Sequence, residues 1–144
     1  MIKQATLHDV PALLEIENAS FVEERFNRRQ YRYLITKAQG QVLVAEEGGQ
    51  VVGCAVLNWR RRDRHSWVTS IAVAPSHRHM GIASRLLASV EQVARAQGLS
   101  DIRLTVRASN TPAIRLYEKA GYSVTKRLPS YYGGEDGLSL VKPL

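Results

Sequence analysis

Apolar positions along this chain follow two rhythms, and the changes between them predict its elements. Short β-like runs at Ile2–Ala5, Gln41–Glu46, Val51–Trp59, Trp67–Val73, Ile102–Val106, Tyr122–Leu128 and Leu138–Val141 predict seven strands. Helical spacing predicts four helices among them. Thr6, with Asp9 following, suits a capping box, and Val10, Leu13, Leu14 and Glu17 mark the faces of the first helix. Asn27 can cap a second helix that carries Tyr31, Leu34 and Ile35. The third runs from about Gly81 to Gln97 on the stripe Ile82, Leu86, Leu87, Val90, Val93 and Ala94, and Gly98 ends it. Thr111-Pro112 opens the fourth, with Leu116 and Ala120 as core positions and Gly121 as its stop. Glu47-Gly48-Gly49-Gln50 reads as a hairpin turn. The loop Pro129–Asp136 carries Tyr131 and Tyr132 and is too aromatic for a spacer. The pattern predicts a single α+β domain over residues 1–144.

Composition changes this picture little, and charge changes it more. A chain of 144 residues can bury a real core. No apolar run nears the ~20 residues of a membrane span. Met1-Ile2-Lys3-Gln4 lacks the apolar stretch of a signal peptide, and Cys54 is the single cysteine, so a reducing, cytoplasmic setting is expected. Cys54 lies mid-strand between Gly53 and Ala55 and reads as a small core residue in preference to a catalytic thiol. The net charge of +7 suits nucleic acid, an acidic protein surface or a polyphosphate ligand. Arg60-Arg61-Arg62-Asp63-Arg64 is the densest basic cluster, with a smaller one at Arg28-Arg29. The first reads as a solvated hairpin tip; the sharper alternative is a docking patch for an acidic or RNA-rich partner. Stacking aromatics are scarce beside it, so direct nucleic-acid binding ranks last.

The stretch that carries chemistry is Ser70 to Ser84. An apolar strand stops at Pro75, crosses a short basic loop and enters a helix through Gly81, in the pattern Arg78-x-x-Gly81-x-Ala83. Open N–H groups and the positive dipole end at a helix start suit a phosphate or pyrophosphate. The turn is neither a Walker A loop nor a dinucleotide fingerprint, which require other glycine and lysine spacings. Taken alone it equally fits a well-capped helix after a strand. A second unit follows from Val106 to Tyr122, where a strand ends, Asn110 precedes a helix and Tyr117 lies two turns in. Two such units side by side would flank a cleft with polar backbone and a phenol.

Together, Arg78-x-x-Gly81-x-Ala83 and Asn110-x-x-Ala113-x-x-Leu116-Tyr117-x-x-x-Gly121-Tyr122 resemble the GCN5-related N-acetyltransferase (GNAT) superfamily. Within it they resemble protein N-terminal acetyltransferases of the ribosomal-protein-alanine type and their archaeal relatives. The likeness extends from Ala5-Thr6-x-x-Asp9 to the tail Tyr131-Tyr132-Gly133-Gly134-Glu135-Asp136-Gly137. It implies a central mixed, mostly antiparallel sheet of about seven strands, splayed at the fourth and fifth and flanked by four helices. It implies acetyl-CoA as co-substrate and no metal; the sequence has no ligand-spaced Cys/His cluster. By the resemblance, the backbone of Ile71, Ala72 and Val73 would pair with the pantetheine arm like an added strand. The amides of His79, Met80, Gly81, Ile82, Ala83 and Ser84 would hold the pyrophosphate, with Arg78 adding charge. Asn110 would bond the pantetheine, beside its simpler role as a turn or cap. Tyr117 would protonate the departing thiolate, since a phenol keeps its proton at neutral pH; its simpler role is a core aromatic. The Val73 amide would stabilise the oxyanion.

The chain departs from those relatives at Thr105, where they carry a Glu that can act as general base. Threonine cannot hold an amine proton at pH 7. Glu24, Glu135 and Asp136 could serve through water, with His65 and His77 as weaker candidates. An α-amine, with a pKa near 8, is partly neutral already, whereas a lysine or polyamine near 10.4 is not; the departure favours α-amines. Glu24, Tyr131 and Tyr132 would line the acceptor slot, while Phe21 reads as core. The expected function is acetyl transfer to a protein or peptide N-terminus, a ribosomal protein being one candidate, by a monomer or homodimer away from membranes. The alternatives are acetylation of a small amine and a non-catalytic acyl-CoA-binding module.

Overall fold

The structure, a computed structural model, describes residues 1–21, 26–36 and 39–144. The strands are β1 (Ile2–Gln4), β2 (Gly40–Glu47), β3 (Gln50–Arg60), β4 (His65–Val73), β5 (Asp101–Arg107), β6 (Ser123–Leu128) and β7 (Gly137–Pro143). The helices are α1 (Val10–Ser20), α2 (Arg28–Thr36), α3 (Ile82–Ala96) and α4 (Thr111–Lys119). Boundaries differ from the apolar pattern by a residue or two. The larger difference is at the first helix. The Thr6 N–H donates to Asp9 Oδ2 at 2.8 Å, but this clasp opens a 3-10 turn, Leu7–Asp9, and α1 starts only at Val10. Asn27 caps α2 as expected: its Oδ1 accepts from Gln30 N, and its own N–H donates to Gln30 Oε1, both at 2.8 Å.

One seven-stranded sheet holds the order β1-β2-β3-β4-β5-β7-β6. All its pairings are antiparallel except β4 with β5. Gly48 and Gly49, with φ of 58° and 79°, form the β2–β3 turn that only left-handed residues allow. Period-two alternation sends the side chains of β2 and β3 to two cores. Val42, Val44, Cys54 and Val56 pack under α1 and α2 with Leu13, Ile16 and Tyr31. Leu43, Ala45, Ala55 and Leu57 pack under α3 with Leu86, Leu87 and Val90. Close approach of α3 explains Gly53, where a Cβ would stand 3.1 Å from Ile82 Cγ2 and 3.2 Å from Leu86 Cδ1. Cys54 is fully buried, as its sequence context predicts, and burial followed by the Glu17 charge pushes its thiol up to about 12.

Two irregularities in β4 create the site. Val56 pairs with Ser70 but Leu57 pairs with Val68, so Thr69 is an extra residue in the ladder. The bulge reverses which face each later residue uses: Val68 joins the α3 core, whereas Ala72 joins the α1–α2 core. In addition, β4 pairs with β5 only at His65↔Asp101, Ser66↔Ile102 and Trp67↔Arg103. Beyond Trp67 the two parallel strands part.

Candidate functional site

The parted strands open a cleft of about 1080 Å³. Ile71, Ala72, Val73, Arg78, Ala83, Asn110, Tyr117, Tyr131 and Tyr132 all line it. Alternation along β4 aims its backbone groups. Ala74 N donates to Val52 O at 2.8 Å, toward β3, so the Val73 and Ile71 amides face the cleft side. The Val73 carbonyl on that side is engaged by Arg78 Nε at 3.1 Å. Arg78 therefore bridges the strand end and the turn.

The turn into α3 holds His79 at φ 64° and Gly81 at φ 78°. Two left-handed residues so close together curl the backbone tightly, and only glycine adopts that conformation without strain. Gly81 is the N-cap of α3 and brings no side-chain cap, and a Cβ there would meet nothing within 4 Å. The first N–H groups of α3 are thus left without a side-chain cap from Gly81. His79, Met80, Gly81, Ile82 and Ser84 are not among the residues that line the cleft. His79, Met80 and Ser84 are exposed, and Ile82 is buried in the α3 core.

Asn110 occupies the equivalent position before α4, and its Oδ1 accepts from Ala113 N at 3.3 Å. Its carbonyl oxygen is a cap, which leaves its amide N–H groups as the part that can reach a ligand. Tyr117, two turns on, is 6% exposed and set edge-on to Tyr122 at 6.0 Å between ring centroids. Burial, and secondarily the nearby Tyr132, pushes its phenol up to about 12, so it stays protonated at neutral pH.

The candidate bases are scattered. Glu24 lies outside the described residues. Glu135 lines the cleft, but it accepts from Ser109 N at 3.0 Å and pairs with Arg107 at 3.2 Å. Hydrogen bonds from Ser109 first, then Arg107, hold its carboxyl below the usual range and make it a poor proton acceptor. Asp136 is held low by the Ser130 amide and Arg127, and it fastens the Tyr131–Tyr132 loop without lining the cleft. His65 is clasped to Asp101 at 3.0 Å where β4 begins, and His77 is bonded to Ser76 at 2.7 Å; neither lines the cleft. Thr105 does line it, facing the loop, so the threonine stands in the cleft wall.

The aromatic loop is strapped down. Tyr131 and Tyr132 meet edge-to-face at 4.9 Å, and the Arg107 guanidinium lies 4.5 Å from the Tyr132 ring centre. Tyr131 remains 57% exposed at the cleft mouth. Trp67, Ser70 and Arg107 also line the cleft and were not legible as site residues. Ser70 donates at 3.2 Å to Glu17, a carboxylate only 1% exposed that also accepts from the Tyr31 hydroxyl. A carboxylate on an apolar helix stripe was the available signal for that buried network. The Arg60–Arg64 cluster is the tip of the β3–β4 hairpin, and its arginines are exposed. Arg64 Nε donates to Gly98 O at 2.8 Å, capping the α3 C-terminus, and Arg60 pairs with Asp63 at 2.7 Å.

Comparison with known proteins agrees with this geometry. Residues 10–122 match the model of the acetyltransferase (GNAT) family. The chain is 34% identical to the N-terminal acetyltransferase B complex catalytic subunit of Arabidopsis thaliana, over 88% of this chain and 76% of that protein. It is 32% identical to an N-alpha-acetyltransferase of Sulfurisphaera tokodaii, over 99% of this chain and 92% of that one. Its fold superposes on the ribosomal-protein-alanine N-acetyltransferase of Brucella melitensis with a TM-score of 0.86 at 28% identity, covering 100% and 99% of the two chains. With its parted parallel strands, the glycine turn before α3 and the buried Tyr117, the chain belongs to the GNAT family and is an acetyl-CoA-dependent N-acetyltransferase.

Proposed function

We propose that this single domain transfers the acetyl group of acetyl-CoA to the α-amine of a protein or peptide, by direct attack within a complex of both substrates. The observation that carries this is the parting of β4 from β5 beside a buried, protonated Tyr117. The residues present fit acetyl-CoA on their own terms. The edge of β4 at Ile71 and Val73, left by β5 and with its Val73 carbonyl held by Arg78, can accept an extended amide-bearing arm as an added strand through its remaining groups. The curled turn and the open start of α3 suit a pyrophosphate, with Arg78 beside them. The small side chain of Ala83 leaves room in the wall.

Each group then has a task. The Val73 N–H donates to the acyl oxygen as it gains negative charge. The Asn110 side-chain amide holds the arm while its oxygen keeps α4 capped. As the C–N bond forms and the C–S bond breaks, Tyr117 delivers its proton to the leaving sulfur. The attacking amine gives up one proton to solvent, and the phenol is reprotonated from solvent. Desolvation keeps the phenol proton in place until the thiolate develops. Tyr131 and Tyr132 form the acceptor side, while Glu24, the third residue expected there, lies outside the described residues.

The choice of acceptor is supported by the lack of a free base among the described candidates that line the cleft. Thr105 accepts no proton, and Glu135 is held ionised by its partners. An α-amine needs the least help, because a sizeable share is neutral at pH 7 to 8. The relatives named for N-terminal and N-alpha acetylation support the same choice. No helix among the described residues is long and apolar enough to cross a membrane, and a cytoplasmic monomer or homodimer acting on nascent or finished chains fits this role.

Mass spectrometry of a peptide panel against a panel of polyamines, amino acids and aminoglycosides, both with acetyl-CoA, tests the proposal. Acetylated peptide N-termini are the expected product. Modification of small amines alone would overturn the acceptor assignment and leave the transferase intact.

A further inference from the structure

Behind Tyr117, on the side away from the cleft, lies a buried polar cluster that no step above uses. Glu91 projects from the apolar stripe of α3 and is 6% exposed. It accepts from Tyr122 Oη at 3.1 Å and pairs with Lys142 Nζ at 2.9 Å, with Arg95 at 4.0 Å on the same helix. Lys142, on β7, also donates to the Ala120 carbonyl at 2.7 Å, at the C-terminus of α4. A buried carboxylate is costly unless it is paired and hydrogen-bonded, and this one is both. A hydrophobic side chain at position 91 would fill the stripe at lower cost, so the cluster calls for another account.

The geometry points to α4. Gly121 at φ 101° turns the chain sharply after the helix, and Tyr122 N donates to Tyr117 O at 3.0 Å. The Tyr122 ring thereby returns beneath the helix, edge-on to Tyr117. Its hydroxyl is pinned to α3 by Glu91, and Lys142 ties the same carboxylate to the end of α4. Burial, and then Glu91, keep the Tyr122 phenol firmly protonated, so it remains a donor. We propose that Tyr122, anchored by the Glu91–Lys142 pair, is a positioning residue that fixes the ring of Tyr117 and hence the direction in which its phenol meets the leaving group. This rests on the assignment of Tyr117 as the acid. Tyr122 touches neither substrate and acts through its neighbour.

A double-mutant cycle on the full chain separates this from simple stability. Tyr122→Phe keeps the ring and removes the pin. The expected result is a kcat lowered about threefold to tenfold, the size of one lost hydrogen bond, with KM for acetyl-CoA unchanged. In a Tyr117→Phe background the same change should add nothing, because the group it orients is gone. Glu91→Gln, which still accepts from Tyr122, should recover more of kcat than Glu91→Leu. Thermal melting of every variant reports folding separately. Tyr122→Phe with full kcat and a lowered Tm would overturn the proposal, as would losses that multiply in the double variant. Tyr117→Phe at full turnover would instead overturn the acid role itself.

Discussion

The chain builds its cleft from two strand–turn–helix units that share one pattern and begin their helices in opposite ways. In the β4–α3 unit the N-cap is Gly81, without a side-chain bond to the helix start. In the β5–α4 unit the N-cap is Asn110, whose Oδ1 accepts from Ala113 N, and Pro112 removes a further donor. The first helix leaves its N–H groups open and the second closes its own. In the proposed function the anion site lies where the chain declines to cap itself, and the capped helix presents a side chain, Tyr117, two turns further in. The two turns differ in cost as well. The first stores left-handed backbone at His79 and Gly81, while the second is relaxed and held by local bonds.

The largest effect that would test this contrast comes from filling the open unit. Ala83→Phe should raise KM for acetyl-CoA by about tenfold or more, corresponding to at least ~1.4 kcal/mol of binding. The half-buried position should leave the apo melting temperature nearly unchanged. The upward shift in Tm that saturating acetyl-CoA confers on the parent should shrink accordingly. An unaltered KM would mean that the open helix start is not where the nucleotide portion sits.

A smaller, sharper test compares the two caps directly. Asn110→Ala should cost about 1 kcal/mol of stability through lost capping, read as a lower Tm. Asn110→Asp keeps the cap and loses the amide donor, so it should retain Tm and raise KM for acetyl-CoA. Gly81→Ala should cost a similar ~1 kcal/mol through positive φ alone, since its Cβ meets no neighbour. Equal behaviour of Asn110→Ala and Asn110→Asp in both assays would remove the ligand role of that amide.

The mildest expectation concerns pH. Turnover on a peptide should rise as the α-amine loses its proton near pH 8. It should then stay level up to about pH 10, because the Tyr117 phenol is pushed up to about 12 and sheds its proton only as pH climbs toward that value. An alkaline fall centred well below 10 in the pH–rate profile would assign proton delivery to another group.

How much of this was legible beforehand can be judged from particular residues. The hairpin glycines, Asn27, Gly98 and Pro112 act over a few residues, and each does in the fold what its local chemistry predicts. The paired motifs around Gly81 and Tyr117 were legible for the same reason, since each is a continuous segment. Glu135 and Asp136 read in sequence as free carboxylates and candidate bases, but hydrogen bonds from Ser109 and Ser130 first, and then from Arg107 and Arg127, hold them ionised. The buried pairing of Glu91 with Lys142 spans 51 residues and leaves only a charged residue on an apolar stripe as its trace.

The sequence by itself determined the elements, their caps and turns, the two-faced sheet and the family, because backbone propensity, side-chain period and capping act between near neighbours. Tertiary structure alone decided that β4 parts from β5 after Trp67, that the Thr69 bulge reverses a strand's faces, and which carboxylates are neutralised by arginines. Those outcomes depend on strand register and on charges brought together from remote segments. Neither is specified until the whole sheet has closed its pairings and the helices have settled on its two faces.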